Sequence, residues 1–237
     1  MIIGVVCEGE TDFLAISSFL KTTLERSGQE VSFKDLQPNL DASSGPPKGG
    51  WPNAMAWLES NTLAVRKAAY LGHGLFGGGL SHKKCDMIFI QIDTDVLDGD
   101  DFSNYIRKRS GNPVAQPADA GERFDEVQRV LVEACGFLDE DEAWSELHII
   151  APAVENTETW CVAVRDPVIP NIESLPKFDI ALEFLTRLNA FEGGGAGAGG
   201  VKNVERRRAY CEAHQDEANR IEEQCGQYRK IAEMFDR

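Results

Sequence analysis

Three groups of carboxylates carry the chemistry this sequence could do. Glu8, Glu10 and Asp12 follow one apolar run. Asp93 and Asp95 close a second, with Asp98, Asp100 and Asp101 beyond them. Glu155 and Glu158 come just after a third. Carboxylates drawn to one place repel each other unless a cation sits among them. Ligation by oxygen alone suits Mg²⁺ or Mn²⁺. A strand as apolar as MIFIQI (87–92) that ends in two carboxylates must provide for them, because a buried carboxylate without a partner is costly. Asp93 and Asp95 therefore read as functional. Asp98, Asp100 and Asp101 read as solvated residues of a turn or a helix N-terminus.

The elements that would position these groups alternate in period. Residues 2–7, IIGVVC, predict a buried strand. From Thr11, apolar residues at three- and four-residue spacing (Phe13, Leu14, Ile16, Phe19, Leu20, Leu24) predict a helix that Ser27-Gly28 ends. A second strand is expected over 31–36, a loop over 37–53 and a helix over 54–71. A glycine-rich loop follows at 72–82, then the strand at 87–95, a helix at about 121–136 and a strand at 146–155. Alternating strands and helices predict an α/β fold with a parallel sheet. Open sheets of this kind bind ligands beyond the carboxyl ends of their strands. The three carboxylate groups lie at those ends, so they could share one crevice.

After Glu155 the character changes. Residues 166–178 are mostly connection, 179–191 read as a short helix, and GGGAGAGG (193–200) reads as a flexible linker. One long helix is expected from Asn203 to the end. Its stripe carries Val204, Cys211, Ala218, Cys225 and Ala232, with Arg207, His214, Ile221, Tyr228 and Phe235 beside them. Small and polar residues there favour docking on the body over a self-associating coiled coil.

The 237 residues suit one large domain, or one with a small appendage. The composition is that of a folded chain. No run approaches the ~20 apolar residues that cross a bilayer, and the N-terminus has no basic region of the secretory kind, so a cytoplasmic protein with no membrane partner is expected. Six scattered cysteines then read as reduced, buried thiols. Lys and Arg total 24 against 39 Asp and Glu, a net charge of −15, and the last 37 residues are balanced. Such a body does not attract nucleic acid unless something local reverses the field, and a bound divalent metal would do so.

The ordered set V-C-E-G-E-T-D, then a helix, then a hydrophobic strand ending D-T-D, resembles the TOPRIM superfamily. That superfamily includes bacterial primases, type IA and type II topoisomerases, and the nucleases of OLD-like and RloB-like phage-defence proteins. Glu8-Gly9 and Asp93-x-Asp95 match its pattern, Gly9-Glu10-Thr11-Asp12 fits the nuclease branch, and Glu158-Thr159-Trp160 resembles its E-x-W segment. The resemblance covers about residues 2–165. It implies a TOPRIM-like, mostly parallel sheet flanked by helices, with a helical C-terminal extension. Residues 1–165 would form the catalytic domain, with an insertion over about 37–85, and 166–237 the connection, the linker and the final helix. It further implies that Asp93 and Asp95 hold Mg²⁺ (or Mn²⁺), and that Glu8 is a ligand or a general acid/base. Glu158, with Glu155, would complete a second metal position. Two metals ~4 Å apart stabilise both the attacking and the leaving oxygen of phosphoryl transfer. Asp12 reads first as a helix N-terminal residue and second as a ligand.

The expected function is a metal-dependent nuclease, a hydrolase of phosphodiester bonds in DNA or RNA, in a defence or toxin setting. The alternatives are a small-nucleotide phosphohydrolase on the same site, and a non-catalytic, metal-stabilised subunit that regulates an ATPase partner. Nucleic acid is the expected partner, with an ATPase protein and a second copy of the chain as further candidates. His82-x-x-Cys85 and Cys211-x-x-His214 have zinc-like spacing but are 126 residues apart, too far for a compact zinc module. DTDVLDGDD fails the register of a calcium loop. Gly72, Gly74 and Gly77 spell a dinucleotide signature that follows a helix where a strand is needed. The basic groups Arg66-Lys67, His82-Lys83-Lys84, Arg107-Lys108-Arg109 and Arg206-Arg207-Arg208 read as solvated faces, with 82–84 and 107–109 placed to flank a polyanion.

Overall fold

A computed structural model of the chain describes residues 1–40, 49–71, 84–193 and 200–236. Its centre is a sheet of four strands, all parallel, in the order β2-β1-β3-β4. β1 is Ile2–Val6, β2 Ser32–Gln37, β3 Met87–Ile90 and β4 His148–Ile150. Ile3, Val5, Val6 and the whole of β3 are buried, because helices cover both faces. β1 pairs with β3 from Ile3↔Met87 to Val6↔Ile90, and β3 with β4 from Ile88↔His148 to Ile90↔Ile150. The α/β expectation with a parallel sheet is what the structure shows.

The β1 crossover is helix α1 (Glu10–Ala15), a π-helical turn (Ile16–Leu20) and α2 (Lys21–Arg26). It stops at Gly28, whose φ of +90° suits glycine. The helix expected over 54–71 is two pieces, α3 (Trp51–Ser60) and α4 (Leu63–Arg66) with a π-helical turn (Lys67–Leu71). They part at Asn61, whose side chain donates to the Trp57 carbonyl. The strand expected over 87–95 ends at Ile90; Asp93 directly precedes a 3₁₀ turn, Thr94–Asp98, and Asp95 lies on it. Next come α5 (Asp100–Ser110), α6 (Ala120–Cys135) and α7 (Glu140–Ser145). Sequence patterning located α6 but not α5 or α7. α5 buries only Phe102 and Ile106 and is otherwise mostly charged or polar, while α7 has six residues and buries only Ala143.

The last third is α8 (Glu158–Ala163), α9 (Lys177–Phe191), α10 (Val204–His214), α11 (Asn219–Gln224) and α12 (Gly226–Glu233). The expected single helix after Asn203 is thus three helices, broken by a 3₁₀ turn at Gln215–Glu217 and by extended backbone at Cys225. The stripe keeps its phase across the breaks. Cys211, Ala218, Ile221, Cys225 and Tyr228 are all fully buried, in one cluster with Ile3, Phe19, Phe89 and Trp160. The extension docks on the body and shares its core. Residues 194–199 of the glycine-rich linker lie outside the described residues.

All six cysteines are buried and free. Cys85 belongs to the cluster on one side of the sheet and Cys211 to the other, so the zinc-like pairs do not meet. His82, Lys83 and the signature Gly72, Gly74 and Gly77 lie outside the described residues. Among the described residues no helix is long and apolar enough to cross a membrane.

Candidate metal centre

Glu8 follows β1 by two residues and is fixed through both carboxylate oxygens. The Asp93 N–H donates to Oε1 (2.9 Å) and the Trp51 N–H to Oε2 (3.0 Å). Its carbonyl accepts the Gly50 N–H at 2.7 Å. Gly50 has φ +91°, and a Cβ on Gly49 would come 3.2 Å from that carbonyl. The φ of Gly50 suits glycine, and a side chain on Gly49 would push the segment a few tenths of an ångström off Glu8. The start of the 37–85 segment's first helix is thereby tied to the carboxyl ends of the sheet.

Asp93 and Asp95 are positioned by a lock between the ends of β3 and β4. Asp93 bridges Ala153 in parallel fashion. The Thr94 N–H donates to the Ala153 carbonyl (2.8 Å) and the Asp95 N–H to the Glu155 carbonyl (3.1 Å). The Glu155 N–H donates in turn to Thr94 Oγ1 (2.7 Å). Glu155 has φ +53°, uncommon for a residue with a side chain and held here by these bonds. Gln91 Nε2 donates to Asp93 Oδ1 (2.7 Å).

Two groups of three carboxylates result, each with ligand atoms within 4.8 Å of one another. One is Glu8, Asp93 and Asp95; the other is Asp12, Asp93 and Glu158. Asp93 is common to both. Asp12 is buried in the first turn of α1 and accepts the Thr157 hydroxyl at 2.6 Å, so the reading of it as a ligand gains over that of a helix-terminal residue. Glu158 opens α8. Its neighbour Trp160 turns into the core, edge-on to Tyr228 at 5.0 Å. Glu8, Asp12, Asp93 and Asp95 line a cleft of about 300 Å³, together with Gly49, Gly50, Lys177 and Lys202, and the buried Glu158 lies behind it. A more open hollow of about 620 Å³ around Phe137 and Leu138 holds neither group.

Glu155 is the expected ligand that joins neither group. Its carboxylate is taken by Arg123, Nε to Oε1 3.2 Å. Arg123 also donates to the Thr94 carbonyl (2.9 Å) and pairs with Asp98 (2.9 Å). Glu155 thus braces the turn that carries Asp93 and Asp95. Asp98, Asp100 and Asp101 are exposed, the first at the end of the 3₁₀ turn and the other two in the first turn of α5.

Sequence reasoning missed three cations. Lys177, at the start of α9, pairs with Asp95 Oδ2 at 2.6 Å. Lys202 Nζ lies 3.2 Å from Glu158 Oε1 and 3.9 Å from Asp12 Oδ1. Arg207, fully buried on α10, pairs with the same Glu158 oxygen. The readable signal was Arg207, a charged residue on an otherwise buried stripe. A lone lysine beside a glycine linker gives none. Two of the expected basic faces are corrected here. Arg207 belongs to the site, and the fully buried Arg66 donates to His148 Nε2 (2.9 Å) and to the carbonyls of Asn61 and Cys135 (both 2.7 Å).

The electrostatics follow from burial and crowding. Burial, then Asp12, raises Glu8 to about 7. Burial, with Asp12, Glu8 and Asp95 around it, raises Asp93 well above the usual carboxylate range. Burial also raises Asp95, against the pull of Lys177. At Glu158 burial acts upward, but Arg207 and Lys202 outweigh it and hold the group below its ordinary value. The two N–H donors on Glu8 favour its ionised form while its surroundings oppose that charge. A cation resolves the conflict. The residues present fit a hard divalent ion: every donor is a carboxylate oxygen, and the buried Glu158 Oε2 has no hydrogen-bond partner among the described residues.

Compared with family models, curated proteins and solved structures, the chain matches none.

Proposed function

We propose that this chain is a metal-dependent nuclease of the TOPRIM superfamily that hydrolyses phosphodiester bonds in nucleic acid. The observation that carries the reading is the meeting of Glu8, Asp12, Asp93, Asp95 and Glu158 in two groups that share Asp93, beside a cleft that all of them but Glu158 line. Glu8, Asp93 and Asp95 would hold Mg²⁺ or Mn²⁺. Bound there, the ion would supply positive charge to a phosphoryl oxygen and acidify a water molecule.

The chain's own residues do the rest. The Asp93 and Trp51 N–H groups fix the Glu8 carboxylate, and a group raised to about 7 holds or releases a proton close to neutral pH. Lys177 and Lys202, with side chains 59% and 60% exposed, stand at the cleft. They offer a polyanion a local welcome that the acidic body does not. A phage-defence or toxin setting rests on the resemblance to OLD-like and RloB-like nucleases.

The test incubates purified protein with DNA, tRNA and free nucleotides in Mg²⁺, Mn²⁺ or EDTA. Cleavage of a polymer in metal but not in EDTA supports the reading. Turnover of free nucleotides alone would move the site to small-molecule phosphohydrolysis. A second reading, a regulatory subunit that cuts nothing and binds a partner such as an ATPase, is favoured by Phe178 and Leu182. They lie one turn apart on α9, 75% and 54% exposed. Inactivity on every substrate, with metal bound, would select it.

A further inference from the structure

The second carboxylate group already contains cations. Lys202 Nζ lies between Glu158 Oε1 (3.2 Å) and Asp12 Oδ1 (3.9 Å), and the buried guanidinium of Arg207 pairs with the same Glu158 oxygen. Asp95, in the first group, has Lys177 at 2.6 Å. Both lysines and Arg207 come from beyond residue 165, after the segment that bears the carboxylates.

The charges can be counted. Glu8, Asp12, Asp93, Asp95 and Glu158 carry five negative charges when ionised. Lys177, Lys202 and Arg207 supply three positive charges. Two negative charges remain, and one divalent cation neutralises them. A second would leave the buried cluster with two excess positive charges, and would have to sit beside the Lys202 ammonium. Like charges at such range in a partly buried site are strongly unfavourable.

We infer that Lys202 fills the place of a second metal ion, so that the substrate-free chain binds one divalent cation, at Glu8, Asp93 and Asp95. This rests on the proposed metal site and deepens it. The C-terminal extension is then part of the centre, since the lysine that completes the second group arrives just before α10. Asp12, Asp93 and Glu158 have the oxygens for an ion, the unpartnered Glu158 Oε2 among them, and Lys202 denies it. Arg207, wholly buried, stays as a fixed counter-charge.

The experiment is a titration of the full chain with Mn²⁺ and no substrate. Calorimetry gives the number of ions bound, and electron paramagnetic resonance counts the free ion. Wild type should bind one. Lys202→Met, which keeps the side chain's length and removes its charge, should bind two. Lys202→Arg should return to one. The lysine side chain is mostly in solvent, so these variants should fold in EDTA with a native circular dichroism spectrum, Lys202→Met melting somewhat below wild type because a counter-charge has gone from the cluster. Two ions in wild type would overturn the inference while leaving the metal site intact. One ion in both wild type and Lys202→Met would overturn it too, because the lysine would then hold no ion's place. No saturable binding in wild type would remove the proposed metal site, and this inference with it.

Discussion

Asp93 is the residue on which both carboxylate groups depend. In metal-free protein it and Glu8 are raised, so the native state holds protons that the unfolded state releases. The sign follows: their contribution to stability falls as pH rises from about 4.5, the ordinary value, through about 7 for Glu8. Melts in EDTA across that window should show the decline, and saturating Mg²⁺ should flatten it. Asp93→Asn removes a repelling charge and a ligand together. It should raise the metal-free melting temperature and lower cleavage by ~10²–10³-fold, the equivalent of several kcal/mol of lost transition-state stabilisation. A variant that cleaves at the wild-type rate removes Asp93 from the centre. His148 supplies a trend of the opposite sign. Burial, aided by Arg66, depresses it from 6.5 to about 3. Its contribution is complete above 6.5 and is lost as pH falls toward 3. His148→Gln should weaken the acid-side decline and leave the Mg²⁺-sensitive one in place.

At the scale of elements, the turn from Asp93 to Asp98 is held by Arg123 in addition to the bonds between the ends of β3 and β4. Arg123→Met should leave α6 folded, since Asp119 caps it through the Gly121 and Glu122 N–H groups. It should free the Thr94 carbonyl and Glu155, and weaken Mn²⁺ binding by ~10–100-fold, as loss of a supporting residue around a metal typically does. Unchanged affinity would show that the lock between the ends of β3 and β4 suffices. The placement of Glu8 and Asp93 was legible because apolar runs of strand length stop at them, whereas Glu158, three residues past the run that ends at Glu155, was singled out by the E-x-W resemblance. Asp12 was half legible: its position in the first turn of a helix was readable, but its burial depends on Thr157, which is 145 residues away. The bracing by Glu155 was not legible, because its partner lies on α6 and no spacing connects them. The break of the last helix was missed because the stripe keeps its phase through it, so that periodicity alone draws one rod.

At the scale of the molecule, the extension is both core and site. Tyr210, Cys211, Ile221, Tyr228 and Ile231 share a cluster with Ile3 and Phe89 of the sheet. Tyr210 donates to the Cys161 carbonyl at 3.0 Å, and Gln224 to that of Ala163 at 2.6 Å. Burying an aromatic or aliphatic side chain contributes ~1.5–3 kcal/mol, so Tyr210, Ile221, Tyr228 and Ile231 together contribute ~6–12 kcal/mol, comparable to the ~5–15 kcal/mol by which domains are stable. Deletion of 203–237 should therefore give insoluble or unfolded protein, read by circular dichroism. A soluble, native-like fragment would show that 1–202 folds without the last three helices. The central claim, that five converging carboxylates form a divalent-metal centre, is tested most directly by melting wild type and Asp93→Asn in EDTA, in MgCl₂, and in NaCl at matched ionic strength. The account predicts a wild-type gain of ~2.7 kcal/mol with Mg²⁺ at a hundredfold excess over its dissociation constant. That gain should be largely absent in Asp93→Asn, with little response of either protein to NaCl. Equal responses to Mg²⁺ in the two proteins, or equal effects of Mg²⁺ and NaCl on wild type, would contradict it.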